Sequence, residues 1–300
     1  MKIELSGVFA PITTPFIDEA LASDQLKKNM QVYRQTALSG YFALGSNGEN
    51  KSLDDSEKMK ILEVIVQEKE KKQLVMAGGG YESTLRTIAF CRKLADAGAD
   101  LVSVLTPCYF KKAMTDEALI GYYTDVADAL SIPVVVYNAP GFTGMEISPK
   151  ALGTISQHPN IIGMKDSSPY KYSRYLEVCD TNFQLLSGSI SALFPALTLG
   201  AVGGVAALAN AFPRMCCQLF EKFKTGDLTE ARRLHFMLSR MNNAVSGRFG
   251  VAGLKFALDV AGLYGGIPRR PLLPLKKEEI KLIREDIDAS NILDLESNGI

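Results

Sequence analysis

Lys165 stands at the end of an apolar run, in "IIGMKDSS" (161–168). A buried ammonium is costly unless it is paired or sheds its proton. An amine that has shed its proton is a nucleophile, and burial disfavours the charged form. Such an amine adds to a ketone and forms an imine, which then serves as an electron sink. Tyr137 ends a second apolar run, "IPVVVYN", and a tyrosine hydroxyl can shuttle protons. The segment "GSNGE" (45–49) presents Ser46 and Asn47 between glycines, where backbone N–H groups can approach and hold a carboxylate. Lysine, tyrosine and carboxylate loop together suit carbonyl chemistry.

Each of these residues also has a plainer reading. Lys165 can be solvated or paired with Asp166. Tyr137 can be an ordinary core tyrosine, and "GSNGE" a turn before a helix. The glycines of "AGGGY" and "GAVGGV" can cradle phosphate, as in some barrel isomerases, although Gly203 and Gly204 fit close packing better. Position alone leaves these readings open.

The elements that must carry these residues alternate. Short apolar runs are expected as strands: "GVFAPITTPF", "GYFALG", "QLVMAG", "DLVSVLTP", "IPVVVYN", "IIGMKDS", "FQLLSG" and "GGVAALAN". Amphipathic stretches such as "SDQLKKNMQVYRQTAL" and "DEALIGYYTDVADAL" lie between them, with Ser23, Ser52, Thr115 and Ser148 as expected N-caps. Strands that are apolar nearly throughout are those of a parallel sheet covered by helices. Eight β-α units predict an α/β fold, a (β/α)8 TIM barrel over residues 1–225, with a C-terminal helical extension over 226–300 packed on it. A doubly wound open sheet is the alternative, weakened because no GxGxxG follows the first strand. In a barrel the strand C-termini gather one list: Thr13 and Thr14, Gly45 to Glu49, Gly78 to Gly80, Thr106, Cys108 and Tyr109, Tyr137 and Asn138, Lys165 and Asp166, Ser187 and Gly188, and Asn210.

Composition narrows the partners. Lys plus Arg equals Asp plus Glu at 33 each, so nothing favours nucleic acid as a partner. The five cysteines form no CxxC pair, which argues against a disulfide framework or a zinc site. The two histidines, His158 and His235, sit in a loop and a charged helical stretch and are read as structural. The N-terminus lacks a signal or transit pattern and no run suits a membrane span, so a cytoplasmic protein is expected.

Taken in order, "GVFAPITTPF", "GSNGE", "LTPCYF", "VVVYNAP", "GMKDSS", "LLSG" and "GVAALAN" resemble the dihydrodipicolinate synthase and N-acetylneuraminate lyase family of class I, pyruvate-dependent aldolases. The resemblance covers nearly the whole chain. It implies that Lys165 is the Schiff-base lysine for pyruvate and Tyr137 the proton relay. It implies that Ser46 links Tyr137 to a second tyrosine, Tyr109, which reaches into the neighbouring subunit's site. The Ser46 and Asn47 amides are implied to bind the carboxylate, with Val205 as a wall near the imine and Gly188 and Phe142 lining the substrate pocket. A homotetramer, a pair of tight dimers, is implied, with no metal or organic cofactor.

These motifs set the pyruvate half-reaction; the aldehyde is read from the residues that follow Tyr137. Dihydrodipicolinate synthases typically carry an arginine in "P-x-R-T-G", and Phe142 of "PGFTG" takes that place here. A phenyl ring cannot form a bidentate carboxylate bond. Asn47 likewise replaces the usual threonine. "TPCY", "SQHPNIIGMKDS" and "RFGVAGLKFALDVAGLYGG" look like 4-hydroxy-2-oxoglutarate aldolases, so reversible cleavage of 4-hydroxy-2-oxoglutarate is the leading expectation. The alternatives are dihydrodipicolinate synthesis from aspartate semialdehyde, and a 2-keto-3-deoxy sugar acid or N-acetylneuraminate lyase. From other classes come a phosphate-binding barrel isomerase and a non-catalytic 2-oxo-acid-binding regulator.

Overall fold

The computed structural model describes residues 3–168 and 171–298. Eight strands close into a parallel barrel: β1 (Gly7–Pro11), β2 (Gly40–Ala43), β3 (Leu74–Gly78), β4 (Leu101–Leu105), β5 (Val134–Asn138), β6 (Ile161–Asp166), β7 (Gln184–Ser187) and β8 (Gly203–Val205). Each strand pairs with its chain neighbours, and β8 pairs back onto β1 through Gly7↔Gly203, Val8↔Gly204 and Phe9↔Val205. The barrel and the helical layer expected from the sequence are present.

Successive side chains on a strand point to opposite faces. The inner set forms its own core: Phe9, Phe42, Met76, Leu101, Val135 and Leu186. The outer set, with Val8, Tyr41, Val75, Val102, Val134 and Leu185, packs against the helices in a second core. Apolar residues on both faces explain why the strands read as unbroken hydrophobic runs. At β8 the barrel wall is thin. A Cβ at Gly203 would lie 2.1 Å from the Gly7 carbonyl oxygen, and one at Gly204 would lie 2.9 Å from Leu193. Close packing therefore accounts for these two glycines.

Several boundaries differ from the expected ones. The first strand stops at Pro11, and Phe16–Ile17 instead pairs with Ala20–Leu21 in a small hairpin. The eighth stops at Val205, and Ala207–Asn210 forms a 3₁₀ turn. Asn210 uses its side chain to close the seam, donating to the Pro11 carbonyl at 2.9 Å and accepting from the Thr13 N–H at 3.3 Å. Thr115 and Ser148 cap their helices as expected. Ser23 lies inside its helix, whose N-cap is Ala22. Ser52 is displaced by Asp54, which forms a capping box with Glu57 and so satisfies two orphan donors reciprocally.

Beyond β8 run the helices Pro213–Lys224, Leu228–Asn242, Arg248–Val260, Lys277–Ser290 and Ile292–Asn298. Leu254, Ala257 and Leu258 bury the apolar face of the third of these in the main core. A π-helical turn, Asn243–Gly247, joins the second and third. Among the described residues no helix is long and apolar enough to cross a membrane.

Candidate active site

Lys165 and Tyr137 both point into the barrel. They are opposite one another across β5 and β6, and each is 5 % exposed. The Lys165 Nζ lies 3.9 Å from the centre of the Tyr137 ring and 4.8 Å from that of Phe42. Ser46 Oγ stands 3.4 Å from the Tyr137 hydroxyl, within hydrogen-bond reach. Burial pushes that hydroxyl up. The positive charge of Lys165 and hydrogen bonds with Lys165, Ser46 and Ser167 outweigh burial, so the net value lies below that of an ordinary tyrosine.

Their neighbours Asn138 and Asp166 point the other way. Asp166 accepts from the Asn138 side chain at 2.8 Å and from the backbone and hydroxyl of Ser168 at 3.0 and 2.8 Å. Burial pushes its carboxyl up, and those hydrogen bonds oppose it. Strand alternation thus separates Lys165 from the adjacent aspartate that the plainer reading would have paired with it.

The loop carrying Ser46 and Asn47 follows β2. Leu44 and Glu49 take left-handed backbone, at φ 58° and 54°, which is uncommon for residues other than glycine. Between them Ser46–Gly48 forms a 3₁₀ turn whose internal bonds begin at the Gly48 N–H to the Gly45 carbonyl. The Ser46 and Asn47 amides precede that bond, as the first donors of a helical turn do. A Cβ at Gly48 would meet the Ile12 carbonyl oxygen at 2.9 Å, so glycine lets the loop lie against β1.

These groups surround a cavity of about 260 Å³ lined by Ser46, Asn47, Tyr137 and Lys165, with Gly188 and Val205 from the far strands. Lys165 is the only charged residue lining it among the described residues. Phe142 stands at its edge, 69 % exposed. A wider cavity of about 740 Å³ opens beside it, shares Tyr137, Phe142 and Ser246, and adds Lys51 to the wall. Seven of the eight site residues named from the sequence therefore line one cavity. Tyr109 does not. It is 79 % exposed, stacks edge-on with Phe110, and its N–H donates to Glu82 at 2.9 Å.

Sequence reasoning missed Asn242, Ser246 and Gly247, which the π-helical turn brings to the same cavity. It also missed Lys255, whose Nζ is 2.6 Å from Glu49 Oε1 with both side chains almost wholly buried (0 % and 1 % exposed). Burial pulls the Lys255 ammonium down, and Glu49 opposes it. A lysine within the apolar run "GLKFAL" is the signal that would have found it.

Lys165 and Tyr137 thus face one another at the C-terminal mouth of a closed parallel barrel. Residues 4–290 match the Dihydrodipicolinate synthetase family, and the chain belongs to it. A 4-hydroxy-tetrahydrodipicolinate synthase from Geobacter sulfurreducens is 33 % identical over 90 % of this chain and 93 % of its own. The structure of the synthase of that name from Methylacidiphilum fumariolicum SolV superposes with a TM-score of 0.92 at 25 % identity, covering 98 % of this chain and 99 % of that one. A prophage protein of the dihydrodipicolinic acid synthase family from E. coli K12, solved in complex with pyruvate, gives 0.89 at 25 % identity over 96 % and 99 %. The chain is a pyruvate-dependent aldolase of this family, a lyase of the lysine Schiff-base type acting on small molecules.

Proposed function

We propose that Lys165 is the Schiff-base lysine. Its Nζ attacks the ketone carbon of pyruvate, the carbonyl oxygen leaves as water, and a protonated imine forms. Tyr137, hydrogen-bonded to Ser46, gives its proton to the departing oxygen; the phenolate then takes a proton from the methyl carbon and passes it to the aldehyde oxygen as the enamine carbon attacks the aldehyde. Hydrolysis then frees the lysine. The observation that carries this reading is the Lys165 amine, almost wholly buried, facing one cavity together with the Tyr137 hydroxyl. The Ser46 and Asn47 amides hold the pyruvate carboxylate, and Val205 and Gly188 wall the imine. Tyr109, exposed on this chain, completes the relay in a neighbouring subunit of a homotetramer. The division into a barrel over 1–225 and an extension over 226–300, and a cytoplasmic location, belong to the same proposal.

For the aldehyde, the relatives favour aspartate semialdehyde, condensed toward 4-hydroxy-tetrahydrodipicolinate, over the cleavage of 4-hydroxy-2-oxoglutarate that the motifs suggested first. Lys51, on the wall of the wider cavity, is the cation available to the aldehyde's carboxylate. One observation favours a second reading. Phe142 replaces the expected guanidinium, and Ser167, Ser189, Asn242 and Ser246 give the smaller cavity an uncharged polar lining. Such a lining suits the hydroxyls of a 2-keto-3-deoxy sugar acid.

The test is to mix the protein with pyruvate, reduce with borohydride and map the added mass. A pyruvyl adduct on Lys165, absent from Lys165→Ala, supports the reading. An adduct elsewhere, or none, overturns it. Turnover with aspartate semialdehyde against hydroxylated aldehydes then separates the two second substrates.

A further inference from the structure

The Glu49–Lys255 ion pair ties the carboxylate loop to the C-terminal extension. Glu49 closes the Ser46–Gly48 turn. One of its oxygens is 2.6 Å from Lys255 Nζ, and the other accepts the Arg269 N–H at 2.8 Å. Lys255 Nζ also donates to the Ile267 carbonyl at 3.0 Å and lies 4.5 Å from the centre of the Phe16 ring. The Arg269 guanidinium grips both Glu57 oxygens at 2.6 and 2.8 Å and donates to the Ser52 carbonyl at 2.8 Å. From the barrel side, Thr14 donates to the Gly48 carbonyl at 2.7 Å. The loop is thus held on one side by Thr14, just beyond β1, and on the other by residues distant in the chain.

A fully buried ion pair is a poor source of stability, because desolvating both charges offsets much of their attraction, and a well-packed apolar pair often serves as well. What charge and hydrogen bonding supply here is one fixed geometry. The backbone they fix belongs to the turn whose first two residues line the cavity with Lys165.

We propose that Lys255, acting through Glu49, is a positioning residue for carboxylate recognition, holding the Ser46 and Asn47 amides where a 2-oxo acid's carboxylate can bridge them. This rests on the Schiff-base reading above.

The test compares Lys255→Met and the charge-free double variant Glu49→Gln/Lys255→Met with the wild type. Borohydride trapping gives half-saturation by pyruvate and by pyruvamide, which keeps the ketone and lacks the carboxylate. The expected result is a rise of about tenfold or more for pyruvate, the scale of one lost charge-assisted hydrogen bond, with pyruvamide unchanged. If Lys255→Met does not fold, the double variant decides, and failure of both overturns the proposal. Unchanged pyruvate saturation in a folded variant overturns it and leaves Lys165 chemistry standing. Equal rises for both compounds also overturn it, as general loosening. No adduct in the wild type sinks the Schiff-base reading and this proposal with it.

Discussion

Lys165 lies opposite Tyr137 because β6 carries one residue more than β5 just upstream. Val134 pairs with Ile161, but Val135 pairs with Gly163, and the register then runs on to Tyr137↔Lys165. Were Ile162 paired with Val135 in unbroken register, Met164 would face Tyr137. The bulge also flips the side-chain alternation, so Ile161 and Met164 both face the outer core while Lys165 turns inward. Bulges re-aim side chains next to active sites in this way. A single irregularity in the ladder decides which residue meets Tyr137.

Tyr137→Phe keeps the ring that packs against Phe42 at 5.8 Å and removes only the hydroxyl. We expect turnover to fall by about 10²- to 10⁴-fold, the usual worth of a positioned proton-transfer group, with the melting temperature close to wild type. Steady-state kinetics beside a thermal melt check this; an undiminished rate takes Tyr137 out of the relay.

Phe142→Arg restores the side chain that the synthases typically carry in this segment. Phe142 is exposed at the cavity edge, so the change is tolerated by the fold. On the synthase reading, kcat/KM for aspartate semialdehyde rises by about tenfold or more, as a bidentate charge-assisted pair allows. No gain, with activity on hydroxylated aldehydes retained, favours the sugar-acid reading.

Gly203→Ala separates packing from phosphate binding. The added methyl meets the Gly7 backbone, which cannot swing aside as a side chain can. Denaturant unfolding should show a loss of about 3 kcal/mol or failure to fold. A tolerated alanine, together with protection of the wild type by phosphate, would revive the barrel-isomerase reading.

Glu296, on the terminal helix, accepts the Arg214 and Met215 N–H groups at 2.8 and 2.9 Å. Burial pushes its carboxyl up to about 7, with those two amides opposing. Between the ordinary glutamate value and about 7, the folded chain holds a proton that the unfolded chain has released. Stability therefore rises as pH falls through that window and declines as pH rises through about 7. Glu296→Gln should flatten this part of the melting temperature against pH. Parallel wild-type and variant curves would show that the group titrates normally.

Much of the architecture was legible because parallel strands bury both faces. Unbroken apolar runs bounded by turn residues mark β3, β4 and β5 closely. The errors fall where local signals compete. Ser52 has the chemistry of a cap, yet Asp54 has it too and adds a matching Glu57. "GGVAALAN" reads as one strand because a 3₁₀ turn made of alanine and leucine is as apolar as a strand. In the site, Lys165 and Tyr137 stand out because each interrupts or ends an apolar run. Lys255 carries the same mark, but inside a helical pattern where a lysine passes for a solvated face. Its partner Glu49 is far away in the chain, and no local rule joins them. The Ile162 bulge is invisible for a related reason, since register is a property of two strands and the pattern of one does not encode it.

The seam between β1 and β8 also fixes an order of events during synthesis. β1 emerges first and finds β2 within a few dozen residues. Its other edge pairs only with Gly203–Val205, and the Asn210 clasp follows later still. Until about two-thirds of the chain has been made, that edge has no partner. Long-range parallel pairing is slow to form, and an unpaired apolar strand edge is a template for wrong pairing. The joint that closes the barrel is thus the one a nascent chain must keep sheltered longest.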